Sequence, residues 1–302
     1  MSFKYPAERM SDMNSVNEKA YAKLNISLDV SSRRPDGYHD MVMVMQTISL
    51  YDDIRLSLDC SGRVRAKTNL PFIPGDERNL AVKAALKFLE ATGHEGQGVF
   101  IRLEKSIPVG AGMGGGSSDA AAVLRGMNRL YGSPFSRSDL EELACAVGSD
   151  VAFCVAGGTA LATGRGEKLR ALPPLPDCAF VVCKPEFSIS TPELFKKLDQ
   201  VPLRRHPDTA GLVSAIEQRD LSQMCRRIYN VFEDVEDRRL RTVSEIKSLL
   251  LDYGALGAAM TGTGSAVFGV FRPEAATEKL CALLRREYGF CESARCVDRY
   301  LD

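Results

Sequence analysis

The chain has no tryptophan, only three histidines and no excess of either charge, and these shortages exclude whole classes of protein. Its 39 Lys and Arg residues balance its 39 Asp and Glu residues, so no overall field directs it toward nucleic acid or an anionic membrane surface. Its apolar stretches are interrupted within roughly ten residues, whereas a membrane-spanning helix needs about 20. Residues 1–20 lack the apolar core of a secretory signal and are too acidic for a transit peptide, so they indicate a short polar lead-in. We predict a cytoplasmic protein with a local binding site and with neither nucleic acid nor membrane among its partners.

Metal-ligating and disulfide patterns are also absent. The nine cysteines form an odd set scattered through apolar segments, with no CxxC spacing. We therefore predict reduced, buried thiols rather than disulfides or a zinc site.

The length and the order of patterns predict an α+β protein with two lobes. A chain of 302 residues exceeds the usual span of one hydrophobic core. The Pro-rich stretch ALPPLPDC at 171–178 indicates a boundary, and we predict lobes at 1–168 and 169–302. Strands and helices are unevenly distributed between the two parts, which favours α+β lobes over a doubly wound sheet.

Local patterns predict individual elements. Apolar alternation indicates strands in AYAKLNISLDV, MVMVMQTISLY and DIRLSLD, which lie between residues 20 and 59. Asn79 is suited to cap a helix that Gly93 ends, and GVFIRLE then predicts a strand. Ser138 and Glu141 have the spacing of a capping box. Further helices are predicted near 192–199, 208–229, 239–253 and 273–288, and further strands in SAVFGVF and near CESARCVD.

A glycine-rich segment at 107–118, IPVGAGMGGGSS, runs directly into the helical pattern DAAAVLRGMNRLY. Its five glycines are followed by Ser117 and Ser118 at the predicted helix start. Glycines let backbone N–H groups surround an anion, and a helix N-terminus adds unpaired donors and positive potential. The segment therefore predicts a phosphate-binding loop.

Three other interpretations of this segment are a dinucleotide-binding turn, a Walker A loop and a glycine loop that binds no ligand. Gly110, Gly112 and Gly115 match G-x-G-x-x-G, but the βαβ context of a dinucleotide-binding turn is missing. No Gly-Lys-Ser/Thr follows at the spacing of a Walker A loop. The third interpretation, a glycine loop that binds no ligand, remains an alternative, although ordering each glycine costs on the order of 0.5 to 1 kcal/mol relative to alanine.

Three segments together resemble the GHMP kinases. PVGAGMGGGSSDAAA resembles their phosphate-binding motif, AKLN at 22–25 their first motif, and MTGTGSAVFGVF at 260–271 their third motif. Within that superfamily, KLNISLDVSSRRPDGYHDM and GSDVAFCVAGGTALATGRGE are similar to segments of the diphosphocytidyl-methylerythritol kinases. Departures from the family pattern are Met113, Ser149 and Ala152, together with a longer N-terminus.

The resemblance implies an N-terminal lobe similar to the second domain of ribosomal protein S5 and a ferredoxin-like C-terminal lobe. It implies ATP-dependent phosphorylation of the 2-hydroxyl of 4-diphosphocytidyl-2-C-methyl-D-erythritol in the non-mevalonate isoprenoid pathway. Mg²⁺ is expected with ATP, held largely by phosphates and with no protein ligand assigned, in a monomer or weak homodimer.

The resemblance also implies residue roles. Asp150 corresponds to the catalytic base and Lys23 to the active-site lysine, which would offset charge on the transferring phosphoryl group. ATP-binding positions are implied at Pro108, Val109, Gly110, Ala111, Gly112, Met113, Gly114, Gly115, Gly116, Ser117 and Ser118, with Asn79 and Lys105 toward the adenine and ribose. Substrate-binding positions are implied at Asn25, Tyr38, His39, Thr191, Phe195, Gly262 and Gly264, where Gly262 and Gly264 would line the substrate diphosphate or brace the glycine loop.

Each of these residue types also has an ordinary structural explanation. Asp150 could cap the next element, Lys23 could lie on a solvated strand edge, Tyr38 could be a turn residue and Phe195 a core position. At the level of the whole protein, two alternatives remain: a GHMP kinase for homoserine, mevalonate or a sugar, and a catalytically silent member that binds a ligand or a partner. The DGYH segment argues against the first, and Lys23 with Asp150 argues against the second.

Overall fold

The computed structural model describes residues 14–203, 205–298 and 300 of the chain. The predicted polar lead-in falls mainly on residues 1–13, which lie outside the described residues. The strands are β1 Ser15–Arg33, β2 His39–Asp59, β3 Val64–Thr68, β4 Gly98–Glu104, β5 Thr159–Gly164, β6 Lys168–Ala171, β7 Ala179–Lys184, β8 Tyr229–Asn230, β9 Gly257–Met260, β10 Val267–Phe271 and β11 Phe290–Arg295. The helices are α1 Leu80–Thr92, α2 Gly115–Leu130, α3 Arg137–Cys145, α4 Val151–Ala156, α5 Thr191–Leu198, α6 Thr209–Glu217, α7 Leu221–Cys225, α8 Arg239–Asp252 and α9 Glu278–Tyr288, with a 3₁₀ turn at Val231–Asp234.

The first sheet has seven strands and is built around the long antiparallel pair β1 and β2. The first part of β2 pairs with β5 and its second part pairs with β4, so one strand joins both sides of the lobe. Helices α1 and α2 pack together, and α2 also packs on β1 and β2. The short strand β8 comes from the second half of the chain and pairs parallel to β1, which attaches the second lobe to the first sheet.

The second sheet has four strands in the order β11-β7-β10-β9, and each neighbouring pair is antiparallel. All six residues of β7, AFVVCK, are buried, because one core cluster covers one face of the sheet and a second cluster, with residues of β1, β2 and α6, covers the other face. Helices α8 and α9 pack on one face of this sheet. The predicted α+β class is confirmed.

The predicted boundary after residue 168 falls within β6, which pairs with β5 in the first sheet. The boundary itself stays a prediction.

Several local predictions are confirmed. Asn79 caps α1 by accepting a hydrogen bond from the Ala81 N–H at 3.0 Å, and Gly93 ends that helix with φ 68°. GVFIRLE forms β4 with the predicted bounds.

Three other local predictions are wrong, and backbone conformation explains two of them. The capping box of α3 is Ser136 with Asp139 rather than Ser138 with Glu141, because Ser136 has the extended backbone of a cap. The predicted helix at 208–229 is two helices followed by β8, since Arg219 has φ 56° and breaks the helical path. MVMVMQTISLY and DIRLSLD form the single strand β2.

Cysteine burial was predicted for all nine residues, and this was partly wrong: Cys60 and Cys145 are exposed, Cys296 is half-buried and the other six are buried. Within the described residues, no helix is both long enough and apolar enough to cross a bilayer.

Candidate active site

The glycine loop at 110–116 ends inside a helix rather than before one. Helix α2 starts at Gly115, four residues earlier than the DAAAVLRGMNRLY pattern suggests, and Gly114 is its cap with φ 70°. The first N–H groups of a helix have no partner within the helix. Gly115, Gly116 and Ser117 therefore contribute these donors directly at the loop, where the helix dipole also favours an anion.

Positive φ angles within the loop are confined to Gly110, Gly112 and Gly114. Gly115 has an ordinary helical backbone, and a Cβ there would meet the Ile107 side chain at 3.2 Å and Lys105 Nζ at 3.6 Å. Left-handed backbone geometry, which favours glycine, is thus needed at the alternate positions before the helix.

The glycine loop is held by both lobes. The Met113 carbonyl accepts from the Lys23 N–H of β1 at 3.0 Å, and the Ala111 carbonyl accepts from the Ala266 N–H at 3.2 Å. Gly112 approaches the third motif so closely that an added Cβ would lie 2.1 Å from the Thr261 carbonyl oxygen. The contact fixes the loop against the second lobe.

Lys23 and Asp150 come together at this loop. The Lys23 ammonium lies 3.4 Å from an Asp150 carboxylate oxygen and donates a hydrogen bond to Asn25 Oδ1 at 2.6 Å. Lys23 is only 4% exposed, which excludes a solvated strand edge, and the aliphatic part of its side chain lies beside Gly114. Asp150 precedes α4 but its side chain makes no capping hydrogen bond, and 28% of that side chain remains exposed.

Thr261 connects this pair to the second lobe. Its hydroxyl accepts from the Asn25 backbone N–H at 3.0 Å and donates to the Gly112 carbonyl at 3.2 Å. Asn25 is fully buried, and its amide donates to Met43 Sδ at 3.2 Å. Asn25 therefore orients Lys23, in addition to lining the cavity described below.

A buried charge cluster, made of Lys105, Asp52 and Asp119, supports the loop from beneath. The Lys105 ammonium lies 2.5 Å from a carboxylate oxygen of each aspartate. The other Asp52 oxygen accepts from the N–H groups of Ser106 and Ile107, which lead into the loop. Burial alone would lower the pKa of Lys105, but the two carboxylates raise it. Lys105 is thus held as a cation inside the protein.

Asp119 gives this cluster a pH dependence. Burial raises the pKa of Asp119 to about 7 from an ordinary value of 3.8. Between these values the folded protein retains a proton that the unfolded chain has released, so the cluster loses stability as the pH rises. Asp119→Asn carries no such proton. As the pH rises from about 5 to about 8, we expect the difference in the free energy of unfolding between the variant and the wild type to shift by about 1 to 3 kcal/mol in favour of the variant.

Chemical denaturation of both proteins at a series of pH values measures this difference in the free energy of unfolding. Asp76→Asn is the matched control: Arg78 lowers the pKa of this exposed carboxyl to about 2, so it stays ionised throughout that range. An Asp119→Asn difference that is constant with pH would contradict the prediction.

Two cavities meet at the glycine loop. The smaller, about 390 Å³, is lined by the loop together with Asn79, Lys105 and apolar residues such as Ile73 and Pro74. The larger, about 990 Å³, contains Lys23 and Asp150. Leu80, Gly112, Gly114 and Ser117 line both cavities, so a phosphate chain at the loop would reach from one into the other.

Aromatic side chains line the larger cavity. The His39 and Phe195 rings are stacked, with centroids 4.8 Å apart, although they come from different lobes. The Asp199 carboxylate lies 2.7 Å from His39 Nε2, and Phe195 also packs edge-on against Phe232. His39 thus orients Phe195, whereas Tyr38 has 54% of its surface exposed.

The remaining predicted residues lie at or near these cavities. Pro108, Val109, Gly110, Ala111, Met113, Gly115 and Gly116 line the smaller cavity, and Thr191 lines the larger one, where its hydroxyl lies 2.7 Å from that of Thr263.

Three predicted residues are outside the lining of both cavities. Gly262 packs on the backbone of Gly112 and Gly264 packs on Met260, which favours the bracing role for these two glycines. The Ser118 hydroxyl donates to the Tyr21 carbonyl at 2.6 Å and is turned away from the loop.

Sequence patterns missed several residues of the site. Asp52 and Asp199 carry no local signal, because each acts through a partner from a distant part of the chain. Thr261 lies within the MTGTGSAVFGVF motif at 260–271, which could have marked it, but its partner Asn25 is remote in sequence. Arg165 lies within the GRGE segment that carried the resemblance, and this alone could have marked it.

Comparisons with known proteins agree with this geometry. The model of the GHMP kinases N terminal domain matches residues 79–158, and the model of the GHMP kinases C terminal region matches residues 212–289. The chain is 45% identical over 280 residues to the 4-diphosphocytidyl-2-C-methyl-D-erythritol kinase of Bacillus licheniformis, covering 93% of this chain and 95% of the relative. The chain belongs to the 4-diphosphocytidyl-2-C-methyl-D-erythritol kinase family. The predicted membership is thus confirmed.

Solved structures place this kinase in the same group. A crystal structure of 4-(cytidine 5'-diphospho)-2C-methyl-D-erythritol kinase matches with a TM-score of 0.75 and 32% identity, over 93% of this chain and 99% of that one. A homoserine kinase from Cytophaga hutchinsonii matches with a TM-score of 0.72 at 21% identity, which shows the shared fold alone. As a member of the family, the chain is an ATP-using kinase of a small molecule.

Proposed function

We propose that the chain transfers the γ-phosphoryl group of ATP to the 2-hydroxyl group of 4-diphosphocytidyl-2-C-methyl-D-erythritol, hereafter the cytidine substrate. The observation that carries this proposal is the Lys23–Asp150 pair, at 3.4 Å, beside the phosphate loop where the two cavities meet. ATP would occupy the smaller cavity with its phosphates on the loop. The cytidine substrate would occupy the larger cavity with its hydroxyl at Asp150.

The arrangement supports an in-line transfer. The Asp150 carboxylate would take the proton of the hydroxyl group as its oxygen bonds to the γ-phosphorus. The bond between that phosphorus and the β,γ-bridging oxygen would break, and ADP would leave with the electron pair. Lys23, oriented by Asn25, and the N–H groups at the start of α2 would offset the negative charge that is shared among the phosphoryl oxygens.

Mg²⁺ is part of the proposal. Oxygen donors are the ligands it prefers, and it usually keeps several waters while binding substrate phosphates. The Ser117 side chain lines both cavities beside the glycine loop, and its hydroxyl would offer such an ion an oxygen donor. When bound, Mg²⁺ would neutralise charge on the ATP phosphates, which would supply most of its ligands. We also propose that the kinase acts in the cytoplasm.

ATP consumption measured against a panel of acceptors tests the function. We expect ADP release with the cytidine substrate and only background rates with homoserine, mevalonate and galactose. Phosphorus NMR of the product would show whether the new ester is at the 2-hydroxyl. Turnover of another acceptor at a higher rate would contradict the assigned substrate, and no turnover with any acceptor would favour a silent member.

Tyr38 is expected to contribute to binding of the cytidine substrate. Its ring is exposed in the larger cavity, and stacking of an aromatic ring on a base contributes about 1 to 3 kcal/mol. We expect Tyr38→Ala to raise the KM for the cytidine substrate about tenfold or more and to leave the ATP KM nearly unchanged. Steady-state kinetics with each substrate varied in turn measures both constants.

Tyr253→Ala is a matched control, because Tyr253 is also 54% exposed but lies outside the lining of both cavities. Phe195→Ala is expected to raise the same KM to a similar degree, with some loss of stability because this ring also packs on Phe232. Equal losses for ATP and the cytidine substrate, or no loss, would show that these rings serve packing alone.

A further inference from the structure

Tyr38 is fixed in two different ways, one for its backbone and one for its ring. The backbone belongs to the turn between β1 and β2: the Tyr38 N–H donates to Asp36 at 3.1 Å, and the Tyr38 carbonyl accepts from the Arg34 N–H at 2.7 Å. These bonds fix the position of the residue but leave the ring free to rotate about its side-chain bonds. A stacking surface needs the ring itself to be held.

The Arg165 guanidinium supplies that hold. Its central carbon lies 4.0 Å from the centroid of the Tyr38 ring, which is the geometry of a cation over an aromatic face. Arg165 comes from the turn between β5 and β6, on a different part of the first sheet. Arg165 covers one face of the ring, while 54% of the Tyr38 surface is exposed and the residue lines the larger cavity.

Arg165 is available for this role. In the described part of the chain its side chain forms no ion pair within 4.0 Å, whereas Arg33, which lines the same cavity, is paired with Asp199 at 3.8 Å. An arginine head group is planar and weakly hydrated, so it stacks on a ring more readily than an ammonium group does.

The same turn borders the catalytic pair. A Cβ on Gly166, next to Arg165, would lie 3.6 Å from an Asp150 carboxylate oxygen and 3.2 Å from the Met43 side chain. One short segment, Arg165 and Gly166, therefore lies beside both the Tyr38 ring and the Asp150 carboxylate. A substrate held by the ring would have its reacting end placed relative to Asp150 by a shared support.

From this geometry we infer that Arg165 is a positioning residue for the acceptor: it holds the Tyr38 ring on one face so that the other face stacks on the cytosine base. The inference rests on the proposed function. It assigns Arg165 an effect on acceptor binding that passes through Tyr38, rather than a direct contact with the substrate diphosphate.

A double-mutant cycle tests the inference. We expect Arg165→Ala to raise the KM for the cytidine substrate about three- to tenfold, with the ATP KM and kcat within a factor of about two. In a Tyr38→Ala background, the same change is expected to have no further effect, because the ring it holds is gone. Arg165→Lys is expected to fall between the wild type and Arg165→Ala, since lysine retains the charge without the planar group.

Arg170→Ala is a matched control, because Arg170 is exposed and lies outside the lining of both cavities. An Arg165→Ala effect that persists fully in the Tyr38→Ala background would overturn the inference and indicate direct contact with the substrate. An unchanged KM in Arg165→Ala would overturn it as well. Wild-type turnover of the cytidine substrate is measured first, so that its absence refutes the proposed function and not the role of Arg165.

Discussion

Replacing Asp150 with asparagine is expected to lower kcat by about two to four orders of magnitude. The amide has nearly the shape of the carboxylate but cannot take the hydroxyl proton. In the proposed arrangement ATP would bind through the loop and the start of α2. Asp150 makes no hydrogen bond to the loop, so the ATP KM should stay within a factor of about two. Steady-state kinetics with both substrates measures these constants.

Asp199→Asn is the matched comparison, because its carboxylate lines the same cavity but contacts His39. We expect that change to raise the KM for the cytidine substrate and to leave kcat within about threefold of the wild type. A kcat for Asp150→Asn within tenfold of the wild type would remove the support for a base at this position.

The second large effect is expected at Gly112, where alanine should destabilise the protein by about 2 to 5 kcal/mol and raise the ATP KM at least about tenfold. Gly112 has φ 74°, and a Cβ there would lie 2.1 Å from the Thr261 carbonyl oxygen. The neighbouring atom belongs to the backbone of Thr261, whose hydroxyl accepts a hydrogen bond from the Asn25 N–H, so the loop would have to move away from the second lobe. Chemical denaturation and ATP kinetics measure the two effects.

Gly132→Ala separates the clash from the backbone strain. Gly132 has φ 77°, but nothing lies within 4 Å of a Cβ added there. Its replacement should therefore have only the strain of a left-handed residue, about 1 to 2 kcal/mol, and leave the ATP KM unchanged. Equal effects of Gly112→Ala and Gly132→Ala on the free energy of unfolding and on the ATP KM would contradict the prediction. The close contact between the loop and the third motif would then contribute to neither stability nor ATP binding.

These positions also show why the glycine loop was predictable and the choice among its glycines was not. A cluster of five glycines before two serines indicates an anion site by composition alone. The sequence does not distinguish among these glycines, whereas in the structure Gly115 is helical and the tight contact is at Gly112. The difference arises because Thr261 lies far along the chain from Gly112, and only folding brings the two together.

Lys105 illustrates the same limit. The resemblance placed it near the adenine and ribose, and it does line the smaller cavity. Its ammonium group, however, is held by Asp52 and Asp119, from β2 and α2. No spacing in the sequence indicates that three charged residues on separate elements become buried together, because their separation along the chain exceeds any helix or strand period.

Features that depend on neighbours within a few residues follow from the order of amino acids alone: the cap at Asn79, the end of α1 at Gly93, strand β4 and the motifs that identify the family. Local hydrogen bonds and side-chain periodicity decide such features. Tertiary structure alone decided the contact of Lys23 with Asp150, the stacking of His39 on Phe195 and the position of Arg165 over Tyr38. These depend on two lobes whose strands bring remote side chains into one cavity, and the free energy of such contacts is set by burial and approach distance, which a linear pattern does not contain.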